Sequence, residues 1–249
     1  MTTAAQHRLL DLIDGPPPKE ADGYLDALGE ADAPAPGLTQ RLMRTSALPV
    51  VYERYWRPFL GRVAKGLAGP SMAGEHRFAQ RKLELRRGSI VLDVACGTGG
   101  FTRAFGAVVG PEGLAIGLDA SLPMLARAVR ETPAGAAVAY LRADAVRPPL
   151  RDGSVDAVCC FAALHMFAEP EAALGSFSRI LKPGGALALL TSARRPVEPV
   201  GTVDAVVGRL SGQRMFGRRE LRELLRANGF TDVAAVYAGV TQLVAARRT

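Results

Sequence analysis

The chain has 249 residues, 48% of them hydrophobic, enough for one domain with a substantial core. No apolar run reaches the length of about 18 residues that a membrane span needs, and the three cysteines make no disulfide framework. The net charge of +7 is uneven: residues 1–40 carry seven acids against two bases, and residues 41–88 eleven bases against three acids. Because 27 of the 31 basic residues are arginine, spread along the whole chain, the basic block reads as a solvated set of helices rather than a nucleic-acid footprint. The first residues lack a charged region followed by an apolar one, so a cytoplasmic protein in a reducing compartment is expected.

In chain order, Gln6–Asp14 has the pattern of one short helix, broken by Gly15-Pro-Pro-Pro18. The stretch to Gly37, with Ala33-Pro-Ala-Pro-Gly37, reads as an acidic linker or loosely held arm, so 1–38 is set apart. Thr39–Leu85 turns helical, with Val51, Tyr55, Trp56, Phe59 and Val63 at core-like spacing. From Ser89 onward the pattern is α/β. The apolar run Ile90-Val-Leu-Asp93-Val leads into Ala95-Cys-Gly97-Thr-Gly99-Gly100 and then a helix bearing Phe101, Ala104 and Phe105. Glycines at that turn let the backbone approach a ligand, and the helix start offers free N–H groups to it. A dinucleotide fingerprint would place a third glycine at Thr102. The run Leu114–Leu118 ends in Asp119, whose carboxylate can take both hydroxyls of a ribose, and Val138–Arg142 leads to Asp144-Ala145. Ser121 is placed to cap the next helix. Asp152-Gly153 turns into a fourth strand, Val155–Cys160, and Pro170 suits a helix start. Lys182-Pro-Gly-Gly185 forms a turn into Ala186–Thr191. A helix with Leu221, Leu224 and Leu225 and two short strands, Val233–Tyr237 and Thr241–Ala246, complete the chain. Cys159 and Cys160 point to opposite faces of their strand and read as structural. His7 and His76 read as surface residues.

The stretches Val91–Gly99, Leu118-Asp119 and Arg142–Ala145 resemble the first three motifs of the class I S-adenosylmethionine-dependent methyltransferases. Leu150–Cys160 and Arg179–Gly185 are similar to their fourth strand and the turn into the fifth, so that the resemblance spans residues 85–192. Ala95 stands where many members carry glycine. The texture is nearest to the ubiquinone and menaquinone biosynthesis enzymes.

This resemblance implies a Rossmann-like, mostly parallel seven-stranded sheet with an antiparallel last strand over 86–249, preceded by an N-terminal helical extension over 39–85. It implies S-adenosylmethionine as cofactor. Asp93, Ala95, Gly97 and Gly99 would lie at its amino-acid end and Asp119 with Ala120 at its ribose. Asp144, Ala145 and Met124, with Leu118, would lie about the adenine, and Phe161 beside the methyl group. His165 is a base candidate, with packing over the cofactor as the favoured alternative. Tyr52 and Trp56, together with the Arg194–Phe216 insertion bearing Val200, Val203, Val206, Val207 and Met215, would close a lid over a hydrophobic small-molecule acceptor. An RNA or protein methyltransferase and an inactive cofactor-binding scaffold are the alternatives. On this reading residues 1–37 are dispensable for cofactor binding, while loss of 1–85 abolishes transfer.

Overall fold

The runs that begin at Ile90 become the centre of a sheet because they are apolar on both faces, as parallel strands covered by helices on each side require. The computed structural model describes residues 3–29, 71–196, 201–202, 204 and 213–249. In chain order the elements are α1 (Ala4–Leu10), β1 (Lys19–Ala21), β2 (Tyr24–Asp26), α2 (Met72–Leu83), β3 (Ile90–Val94) and α3 (Gly100–Val109). There follow β4 (Leu114–Asp119), α4 (Leu122–Glu131), β5 (Val138–Arg142), β6 (Val155–Phe161), a 3₁₀ turn (Leu164–Met166) and α5 (Pro170–Ile180). The chain ends with β7 (Leu181–Ser192), α6 (Arg218–Ala227), β8 (Phe230–Ala238) and β9 (Thr241–Arg248).

The strands form one nine-stranded sheet in the order β1-β2-β5-β4-β3-β6-β7-β9-β8. From β5 to β7 all neighbours are parallel, and β9 runs antiparallel between β7 and β8. The expected mostly parallel sheet with an antiparallel last strand is present. Strand order reverses between β3 and β6, and that point opens a crevice at their carboxyl ends. One core lies on the face covered by α1, α5 and α6, with Leu9, Phe177 and Leu225 among its members. The other lies under α2, α3 and α4, with Ala79, Phe105 and Ala128.

Four local expectations are corrected. Residues 3–29 are not a loosely held arm: β2 extends the sheet in parallel beside β5, and Leu9 and Leu25 have no exposed surface. Two extra strands therefore stand beyond the expected seven. Leu181–Ser192 is one continuous strand, and the Lys182–Gly185 segment is a bulge within it, because Val155 pairs with Leu181 but Ala157 with Ala186. The Ser121 hydroxyl occupies the N-cap position of α4 yet makes no cap bond and is buried without a partner. His76 is not a free surface residue; its ring stacks on Phe101 at 3.8 Å between centroids. The other helical expectations over 39–70, including Val51, Tyr52, Tyr55, Trp56, Phe59 and Val63, lie outside the described residues. So do Val200, Val203, Val206 and Val207. No helix among the described residues is long and apolar enough to cross a membrane.

Candidate cofactor site

The site is built at the carboxyl ends of β3, β4 and β5, where register does most of the placing. Asp93 of β3 pairs with Gly117 of β4, which pairs with Tyr140 of β5. Two residues along β4, past Leu118, Asp119 pairs with Arg142. Beyond β3 the chain turns through Ala95, Gly97 and Gly99 with φ of +55°, +56° and +75°. Ala95 adopts the left-handed conformation despite its Cβ, at a cost of about 1–2 kcal/mol. Gly99 has no alternative: a Cβ there would stand 2.2 Å from the Tyr140 hydroxyl. That hydroxyl is held by Thr132 Oγ1 at 2.8 Å, so Tyr140 props the turn from behind. Gly117 is needed for the same ring, since a Cβ would approach Tyr140 Cδ1 to 2.6 Å. In front of the turn the space is open, because a Cβ on Gly100 would meet nothing within 4 Å.

The acids divide their work. Asp93 is buried and accepts a 2.6 Å bond from the Thr102 hydroxyl, which ties β3 to the first turn of α3. Thr102 therefore does more than vacate a glycine position. Asp119 accepts from the Gly97 N–H and the Ser121 N–H, both at 2.9 Å, and so couples the glycine turn to the β4–α4 loop. Asp144 accepts from the Val146 N–H at 2.9 Å and stands 4.0 Å from Arg147. Ala120 and Ala145 are partly buried beside these acids. Met124 retains a small exposed surface, whereas Leu118 has none: strand alternation turns it away from Asp119 into the main core. Leu118 is thereby removed from any ring-flanking role. Leu122, which helical spacing groups with Leu125, Ala126 and Val129, is instead 45% exposed in the first turn of α4.

At the other side of the crevice Val94 pairs with Cys160, which brings Phe161 beside Ala95. Phe161 lies 5.1 Å from Phe101, on which His76 stacks, so three rings pack together at the start of α3, with both phenylalanines buried in the second core. Cys159 and Cys160 are fully buried in opposite cores, and burial pushes both thiols up, as it does Cys96. His165 sits in the 3₁₀ turn after β6, and its Nδ1 makes a long 3.4 Å contact with the Thr191 hydroxyl. Burial lowers its pKa from 6.5 to about 4, so the imidazole is neutral at physiological pH. A group that holds a proton so weakly is poorly matched to general-base work near neutrality. The same shift makes folding less favourable in acid: the penalty begins as pH falls below about 6.5 and is complete below about 4.

The residues fit S-adenosylmethionine. A left-handed glycine turn, a carboxylate at the end of the next strand and a buried acid in the strand before the turn, tied to a threonine in place of a third glycine, are what its amino-acid and ribose portions need. The sequence does not point to Tyr140, which shapes the turn, and places Arg142 in the third motif without its contact to the Ala120 carbonyl.

Comparison with known proteins agrees. Residues 92–189 match the family model described as a methyltransferase domain. An uncharacterized chloroplastic methyltransferase of Arabidopsis thaliana is 31% identical over 213 residues, covering 81% of this chain and 59% of the relative. A demethylmenaquinone methyltransferase of Staphylococcus aureus is 35% identical over 120 residues, 48% of this chain and 49% of that protein. The chain thus spans about half to three-fifths of the length of these curated relatives. A crystal structure of an S-adenosylmethionine-dependent methyltransferase from Aquifex aeolicus superposes with a TM-score of 0.58 at 21% identity, covering 81% of this chain and 98% of that one, and shows the shared fold. With its glycine turn, its paired acids and its strand order, the chain carries a methyltransferase-domain match over residues 92–189 and is similar to S-adenosylmethionine-dependent methyltransferases, quinone-biosynthesis members among them.

Proposed function

We propose that this protein transfers the methyl group of S-adenosylmethionine to a small, hydrophobic acceptor. The observation that carries the acceptor class is the packed ring cluster His76–Phe101–Phe161, whose Phe101 lies two residues after Gly99 of the glycine turn. The S. aureus relative, named for an apolar quinone substrate, supports the same class. When bound, the cofactor supplies an already electrophilic sulfonium methyl. The protein's task is then to align the acceptor and exclude water. On this reading the turn at Ala95–Gly99, with Asp93 behind it, holds the amino-acid end, and Asp119 and Ala120 hold the ribose. Met124, Asp144 and Ala145 surround the adenine. Phe161 and His165 flank the methyl group, His165 as a neutral packing and hydrogen-bonding residue. Tyr52 and Trp56 remain proposed lid residues. A cytoplasmic setting also remains part of the proposal, beside Arabidopsis relatives that are chloroplastic.

Incubation with methyl-labelled S-adenosylmethionine, an organic-soluble cell extract and bulk RNA tests this. Label is expected in the organic phase; label in RNA or protein would replace the small-molecule reading. In the same assay His165→Ala should keep turnover within about tenfold of wild type and leave the affinity for S-adenosylhomocysteine unchanged. The wild-type rate should show no inflection from this group between about pH 6 and pH 8. A loss of about a thousandfold in turnover at unchanged affinity would restore His165 as the base.

A further inference from the structure

The N-terminal hairpin reaches the candidate cofactor site through one buried arginine. Asp26 of β2 pairs in register with Arg142 of β5, which pairs with Asp119 of β4, so the three form one row across adjacent strands. Arg142 is almost fully buried. Its Nη1 donates to Asp26 Oδ2 at 3.0 Å and to the Gly29 carbonyl at 2.6 Å, and its Nε points to the Ala120 carbonyl at 3.4 Å. Asp26 is itself fixed by the Leu28 and Gly29 N–H groups, both at 2.9 Å, and these bonds with the guanidinium hold its carboxyl below the usual range despite partial desolvation.

We propose that the Asp26–Arg142 pair positions the cofactor cradle: the hairpin holds Arg142, and Arg142 holds the 119–121 loop from the side opposite the glycine turn. The loop is then gripped twice, by Asp119 through the Gly97 and Ser121 amides and by Arg142 through the Ala120 carbonyl. Asp26 touches neither the proposed cofactor nor the loop; it acts through Arg142. A buried guanidinium that loses the charge of a carboxylate fixed in register beside it redistributes its remaining hydrogen bonds, and this shifts the carbonyl it faces.

This inference rests on the cofactor reading above, and its test separates the two. Amide exchange at Gly97 and Ser121 is followed by NMR in ligand-free protein, and S-adenosylhomocysteine affinity by calorimetry. Asp26→Asn should speed exchange at Ser121 and raise the Kd by about 5- to 30-fold. Leu221→Ala, in α6 at the far side of the sheet, supplies a comparable loss of stability and should change neither. Should Asp26→Asn fail to fold, Arg142→Lys, which keeps the charge and loses the fork, is read in the same way. Wild-type exchange and affinity in Asp26→Asn would overturn the proposal, as would equal weakening by Leu221→Ala. If wild-type protein failed to bind S-adenosylhomocysteine, the cofactor reading would fall, while faster Ser121 exchange in Asp26→Asn would still show the clamp on the loop.

Discussion

A chain lacking residues 1–29 is expected to lose its cooperative fold rather than merely an appendage. α1 and the hairpin bury Leu9 and Leu25 completely and Ala5 and Ile13 nearly so, all within the main core. Each large aliphatic side chain of this kind contributes about 1.5–3 kcal/mol. The deletion also removes the Asp26 carboxylate and the Gly29 carbonyl that accept from the buried Arg142 guanidinium. Together these approach the whole stability of an ordinary domain, about 5–15 kcal/mol. The bare edge of β5 would in addition offer unpaired N–H and C=O groups for aggregation. Thermal denaturation followed by circular dichroism, with size-exclusion chromatography, checks this. The expected result is an aggregated or non-cooperative product. A truncated protein that melts at the wild-type temperature would show the N-terminal segment to be dispensable after all.

Asp119→Ala should carry the largest single-residue effect on cofactor affinity. The carboxylate is the joint between turn and loop, with two 2.9 Å bonds from backbone N–H groups, and it is the group proposed to receive the ribose hydroxyls. Charge-assisted bonds of this kind contribute about 1.5–3 kcal/mol. Their loss corresponds to a Kd about 10- to 150-fold higher. Asp144→Ala should cost less, about two- to tenfold, because that carboxylate is partly exposed and already caps its own turn. Calorimetric titration with S-adenosylhomocysteine reads both. Wild-type affinity in Asp119→Ala would remove Asp119 from the site.

The parts of this structure that could be read from sequence are those whose cause is local. Uninterrupted apolar runs at Ile90, Leu114, Val138 and Val155 announce strands buried on both faces. The Ala95–Gly100 stretch announces a turn because its backbone needs positive φ. What escaped is set by pairing over long sequence separation. β1 and β2 have three residues each, with charges among them, and lie in a segment whose prolines and acids imitate a linker; only β5, more than a hundred residues on, makes them strands. Arg142 looks like the polar end of a strand until register sets it between Asp26 and Asp119. His76 gains its place from α3, across a gap in sequence that helical periodicity does not bridge. Ser121 has the right residue type for a cap, but its hydroxyl accepts from no N–H of α4, and its amide donates to Asp119.

The central claim is that this crevice is an S-adenosylmethionine site and not a dinucleotide site. Titration calorimetry of the wild-type protein against S-adenosylmethionine, its demethylated product and NAD tests it most directly. Thr102 fills the third glycine position, which dinucleotide sites use for close helix–strand packing, and its hydroxyl is committed to Asp93. Micromolar binding of S-adenosylmethionine and S-adenosylhomocysteine, with no heat from NAD, is the result predicted. Binding of NAD with none of the other two would contradict it.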